Sequence, residues 1–236
     1  MTVQEFSSGF DTLLNSYSTT QQFGEQTSGR EVVLDEYEKS LFLTQAQLDI
    51  VISSYNGKNP TGESFESSEE FRRYLDALIK TKEYTEEDKL DIKGISSKST
   101  LFTLPDDLAF ITMEQVEYSD EKLDCPSNSI ASVYPVTQDE YNRVKNNPFR
   151  GPTVYKALRM EYGNNIVEII SVYNIGVYTL KYLSKPEPII LEDLPDGLTI
   201  NGVSETTECK LNEVLHDKIL ERAVQLALQS RNIAIK

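Results

Sequence analysis

Apolar positions follow helical spacing up to about Ile92 and alternate after Gly94, so the pattern divides the chain into a helical first part and a strand-rich second part. Phe6, Phe10, Leu13, Leu14 and Tyr17 predict a short amphipathic helix whose apolar face needs a partner, weakened by Gly9. The polar, Gly-containing tract from Ser18 to Gly29 predicts a flexible arm. Tyr37, Leu41, Thr44, Leu48, Val51, Ile52 and Tyr55 make one stripe of a second helix; Asp35, Glu36 and Glu38 suit its N-terminus and Gly57 its end. Ser67 and Glu70 read as the capping box of a third, with Phe71, Tyr74, Leu75, Leu78 and Ile79 on one face. Thr85 to Asp88 reads as a shorter fourth start.

Past Gly94, residues 99–104 and 108–113 alternate about a Pro105-Asp106-Asp107 turn and predict strands able to form a hairpin. Ser119 to Ser132 is loop-like, and Thr137 to Glu140 starts a helix that Asn147-Pro148 ends. Residues 154–162, 166–173 and 177–183, separated by short Gly/Asn turns, predict an antiparallel meander. Leu211 to Ser230 is a helix apolar around more than half its circumference. Leu211, Leu215, Ile219, Ala223 and Leu226 define one stripe, and Leu220, Val224 and Leu228 define a second. Burial within the subunit and contact with another subunit both suit so wide a face. The fold class is α+β: N-terminal helices, a mainly antiparallel sheet, and a C-terminal amphipathic helix packed on the sheet. The expected organisation is a helix and arm over 1–30, a helical region over 31–93 and a sheet region with its helix over 94–236, together one compact domain.

Composition narrows the function. At 236 residues and 39% apolar content the chain can bury a core without disulfide or metal support. Cys125 and Cys209 have no Cys or His neighbours, which predicts free thiols in a reducing compartment. No apolar run is long enough for a membrane span and no signal peptide is legible at the start, so a protein kept inside a cell, or carried out inside a particle, is expected. The net charge is −15, and residues 1–92 carry 18 acids against 8 bases. A balance of that sign opposes DNA binding as a primary role, yet it suits a wall past which DNA slides without sticking.

No catalytic layout emerges. The one histidine, His216, adjoins Asp217 on a predicted helix, where neighbours point about 100° apart and form no oriented dyad; a surface or interface histidine is the expectation. Glu66, Glu69, Glu70 and the Glu86-Glu87-Asp88 run lie at helix starts, where acids complement the dipole. Residues 193–197 read as a turn lacking the alternate acids of a calcium loop. No catalytic, metal or cofactor residue is assigned. The 13 tyrosines, five of them in or beside the meander, read as packing and contact residues.

The segment NPFRGP (Asn147 to Pro152), the meander, the exit YLSKPEPIIL (Tyr182 to Leu191) and the closing CKLNEVLHDKILERAVQLAL (Cys209 to Leu228) resemble structural proteins of tailed phages, above all those of crAss-like phages. The resemblance covers about the last 90 residues well. It implies a head-to-tail connector or portal-adaptor ring protein: a cyclic homo-oligomer, commonly twelvefold, that meets the portal and other tail components and passes double-stranded DNA without reading it. The implied location is the virion, after assembly in the host cytoplasm. Phe6, Phe10, Leu13, Leu14, Tyr17, Leu220, Val224 and Leu228 are the candidate subunit or portal contacts. A carboxylate-based hydrolase of the tail or capsid, and a monomeric cargo or regulatory module, are the alternatives.

Overall fold

Helix α2 (Glu36–Asn56) forms between the two boundaries its sequence supplies. The Asp35 carboxylate accepts from the Glu38 amide at 2.7 Å, and Gly57 closes the helix in the left-handed region at φ 69°. The same logic sets α4 (Gln138–Val144), where Thr137 Oγ1 accepts from the Glu140 amide at 3.2 Å. For α3 (Glu69–Tyr74) the boundary moves: Ser67 accepts from the Ser64 amide in a turn of its own, and the reciprocal capping box occurs instead at Thr85 and Asp88. The structure, a computed structural model, describes residues 1–20, 34–58, 62–119, 130–195 and 197–230. The expected arm after Tyr17, most of the loop before Ile130, and Cys125 lie largely or wholly outside those residues.

The chain divides into a helical unit, Met1–Leu78 with Lys185–Lys236, and a sheet unit, Ile79–Ser184. In the helical unit α5 (His216–Ser230) packs on α1 (Val3–Thr20) and α2. Two helical neighbours account for an apolar surface wider than one contact needs. Within this unit the apolar face of α5 meets α1 and α2, and the fold is α+β as the sequence pattern predicts. Gly9 faces α5: a Cβ there would sit 2.8 Å from Leu220 Cδ2, so a larger residue would have to displace the end of that side chain.

Helix α2 is turned from the orientation its leucine spacing suggests. Its inward face carries Lys39, Ser40, Leu43, Ala46, Gln47, Val51 and Ser54, while Leu41, Leu48 and Ile52 point outward. The buried polar groups are satisfied from distant sequence. Lys39 Nζ pairs with Asp11 at 2.8 Å and Glu36 at 3.0 Å, Ser40 Oγ accepts from the Leu191 amide at 3.0 Å, and Gln47 donates to the half-buried Cys209 sulfur at 3.7 Å.

The sheet unit holds seven strands in the order β1-β7-β3-β4-β5-β6-β2. They are β1 (Ile79–Tyr84), β2 (Ser99–Thr103), β3 (Leu108–Tyr118), β4 (Ile130–Pro135), β5 (Lys156–Gly163), β6 (Ile166–Ile170) and β7 (Ile175–Ser184). All neighbours are antiparallel except β4 and β5, which are parallel and joined through α4. The sheet curls until its two edge strands approach: Tyr84 of β1, Phe102 of β2 and Tyr178 of β7 bring their ring centroids within 5.1–5.4 Å, and Tyr84 Oη donates to the Thr103 carbonyl at 2.8 Å. The interior is lined from every strand, including Val116, Ala131, Val133, Ala157, Val167, Ile169 and Leu180.

Two pairings differ from the expected ones. The strands about Pro105 form no hairpin, because β2 pairs with β6 and β3 lies between β4 and β7. The meander holds only through its first turn, where Gly163, Asn164 and Asn165 adopt φ of 108°, 53° and 58°. From β6 the chain crosses at residues 171–174 to β7, which inserts between β1 and β3, since β6 already has β5 and β2 on its two edges. β1 begins at Ile79, the last residue of the expected third-helix stripe; only Tyr84 of its six residues is buried, so no apolar alternation marks it.

Candidate functional site

The carboxylate groups singled out by sequence lie at the surface of their own units. Glu66, Glu69 and Glu70 are exposed around α3, where Glu69 pairs with Arg73, and Glu86 to Asp88 form a separate exposed turn in the sheet unit. Asp193 accepts from the Thr206 amide and hydroxyl, both at 2.7 Å, which pulls its carboxyl below the usual range and staples a loop. Among the described residues no group of three or more His, Cys, Asp or Glu side chains is placed to hold a metal ion, and no helix is long and apolar enough to cross a membrane.

His216 is buried rather than at the surface. Its Nε2–H donates to the Leu211 carbonyl at 3.0 Å, its Nδ1 faces the Met1 amino group at 2.7 Å, and its ring lies 5.4 Å from that of Phe6. Burial lowers its pKa from the ordinary 6.5, against the opposing pull of the Leu211 carbonyl, Glu213 and Asp217; the neighbouring amino group lowers it further. A histidine with a depressed folded-state pKa binds fewer protons folded than unfolded, so its contribution is intact above about pH 6.5 and is lost as pH falls through that value. His216→Gln should therefore show a shallower loss of stability than the native chain on acidification below this point. Urea denaturation of both proteins across that range checks it, and equal slopes would contradict it.

A buried charged cluster in the sheet unit carries no signal in the sequence pattern. Glu114 of β3 is buried, with Arg159 Nη1 of β5 donating to its Oε2 at 2.9 Å and Tyr178 Oη of β7 donating to its Oε1 at 2.5 Å. Burial pushes the Glu114 carboxyl up, with Arg159 and then Tyr178 pulling it back, and the Tyr178 hydroxyl is pushed well up by burial and by Glu114. A second acid, Glu168 of β6, is fully buried and accepts from the Ile95 amide at 2.6 Å. These groups join strands and offer no nucleophile-base-orienter geometry. They lie 45 and 64 positions apart in sequence, so no local motif announces them.

Surfaces are the remaining candidates. Of the eight proposed contact residues, Phe6, Phe10, Leu14, Leu220, Val224 and Leu228 are buried within the helical unit, leaving Leu13 partly and Tyr17 clearly accessible. Among the described residues the large apolar side chains most open to solvent lie elsewhere, Phe149 in the NPFRGP loop at 90% and Tyr155 at 73%, while Leu41, Leu48 and Ile52 form a partly exposed stripe on the outer face of α2.

Residues 1–235 match the phage tail ring protein 3/4 family. The chain is similar to Ring protein 3 of Bacteroides phage crAss001, at 48% identity over 233 residues, covering 98% of this chain and 96% of that protein. It is also similar to Ring protein 4/5 of the same phage, at 31% identity, covering 96% of this chain and 92% of that protein.

Proposed function

Because the chain belongs to the phage tail ring protein 3/4 family, we propose that it is a structural subunit of a closed ring at the head-to-tail junction of a virion. The full-length match carries this reading, since it spans both the helical and the sheet unit. In this role the subunit forms a cyclic homo-oligomer, twelvefold where it matches a portal vertex, and stacks between the portal and lower tail components. It binds no cofactor and performs no chemistry; its work is contact.

Charge supports the channel part of the proposal. The helical unit carries 22 acids and 11 bases, a net of −11, and a wall of that sign repels the phosphate backbone and lets DNA pass without a sequence-independent grip. The wide apolar surface of α5 is spent inside the subunit, so contacts between copies fall to the outward residues of α2 and to the loops of the sheet unit.

Mass spectrometry of purified virions, with light scattering of the isolated chain, tests the assignment. The chain should be present in every particle in a fixed multiple-copy ratio to the portal. Absence from virions together with a monomeric mass in solution would overturn the reading.

A further inference from the structure

Two surfaces of opposite character stand out on this chain. The first is the outer face of α2. Leu41, Leu48 and Ile52 fall on one side of the helix and are 41%, 36% and 37% exposed, while the buried side holds Lys39, Ser40, Gln47 and Ser54. A helix that buries hydrogen-bonded polar groups and shows leucines to solvent has the pattern of one with both faces occupied. Asp35 and Glu38 flank the stripe at its N-terminal end, and the Lys39 charge is already matched by Asp11 and Glu36.

The second is the NPFRGP loop. Asn147 Oδ1 accepts from the Phe149 amide at 2.9 Å and the Arg150 amide at 3.2 Å, and the Gly151 amide donates to the Asn147 carbonyl at 2.8 Å. Gly151 is buried, and a Cβ there would lie 2.8 Å from that carbonyl, so the turn closes too tightly for a side chain. Lys156 Nζ ties the far side by donating to the Arg150 carbonyl at 3.0 Å. On this pre-set frame Phe149 stands almost wholly in solvent beside exposed Arg143, Lys145 and Arg150. From Tyr141 to Met160 there are five bases and no acid, in a chain whose net charge is −15.

The geometry points to a head-to-tail contact in which the Phe149–Arg150 loop of one copy docks on the Leu41–Leu48–Ile52 face of α2 in the next copy. This rests on the ring reading, and it names the two surfaces that reading requires. A heterologous interface that closes into a ring uses two different patches on every subunit. An exposed aromatic and an arginine on a stiff loop are the residue types that anchor interfaces, because little side-chain and loop freedom is lost on docking. The acceptor is chemically matched: apolar for the ring of Phe149, and set in the unit that holds 22 acids against 11 bases. Duplex DNA is the poorer fit, since the basic stretch is short and the rest of the surface repels phosphate.

The test places a p-benzoylphenylalanine photocrosslinker at position 149 of the full-length chain, mixes isotopically heavy and light copies, irradiates, and maps the products by mass spectrometry. Sedimentation of the same samples reports self-association, and titration with a fluorescent DNA duplex runs in parallel. The expected product is a heavy-light cross-link between position 149 and residues on the outer face of α2. Phe149→Ala should weaken self-association about 30-fold. Arg150→Glu should weaken it as well, and the added change Glu38→Arg should restore it. Oligomers whose cross-links map away from α2 would overturn this contact and leave the ring reading standing. Duplex binding that Arg150→Glu abolishes, with no cross-link to α2, would also overturn it and assign the loop to nucleic acid. A chain that neither associates in solution nor occurs in virions would remove both readings.

Discussion

Replacing Arg159 by Met should destabilise the sheet unit by about 3 kcal/mol at neutral pH, the lower end of what is lost when one partner of a buried ion pair is removed. The cost does not come from the salt bridge as such. Glu114 would be left buried with only the Tyr178 hydroxyl at 2.5 Å to replace water, and an uncompensated interior carboxylate is the expensive species. The sign of the pH dependence follows. Burial already pushes the Glu114 carboxyl up, and without the guanidinium it rises further, so the variant's folded state takes up a proton more readily than its unfolded state as pH falls. The deficit relative to the native chain should shrink on acidification and be largest well above the carboxylate range. Glu114→Gln combined with Arg159→Met should recover most of the loss. Urea denaturation of the three proteins at neutral and mildly acidic pH checks this, and a deficit that grows toward acid would contradict it.

Phe102→Ala should cost about 3–5 kcal/mol and should do so at a particular place. Phe102 is fully buried, and its ring touches those of Tyr84 and Tyr178 at 5.4 and 5.1 Å. β1 and β2 are the two ends of the strand order and are not backbone partners, so the aromatic cluster and the Tyr84–Thr103 hydrogen bond link the curled edges. Removing the ring opens a cavity at that link. Amide hydrogen exchange should accelerate first in β1 and β2, while the long β3–β7 pairing stays protected. Uniform acceleration through all seven strands would mean that Phe102 is ordinary core.

What the sequence conveys follows from how local each interaction is. The ends of α2 are legible because Asp35 and Gly57 act within one turn of the helix they bound, and the Gly163-Asn164-Asn165 turn is legible because left-handed backbone is written in residue type. The facing of α2 is not, since its buried polar groups are satisfied by Asp11, Leu191 and Cys209, none of them near in sequence. Leucine spacing alone therefore favours the outward side. Strand order is hidden for the same reason: Ile79 pairs with Leu183, and β1 carries Lys80 and Lys82 on one face and Thr81 and Glu83 on the other, with only Tyr84 buried. The Glu114, Arg159 and Tyr178 cluster exists only once three strands are in register. The proposed contact surface is half legible: NPFRGP is a compact turn motif in the sequence, whereas the exposed stripe of α2 has the spacing of core residues.

These features share one physical theme. Polar and aromatic groups lock the inside of each unit, and residues that could have thickened the cores, Phe149, Tyr155, Leu41 and Ile52, lie in solvent instead. That distribution costs solubility in an isolated subunit and suits one that spends its working life against neighbours.

Cryo-electron microscopy of purified virions can resolve the ring itself. Density for this chain is expected as a closed ring of identical copies on the tail axis, with the Phe149 loop of each copy against α2 of its neighbour and the acidic helical surface toward the channel. A tail whose ring layers all fit other chains, or this chain as isolated, non-touching copies off the axis, would contradict it.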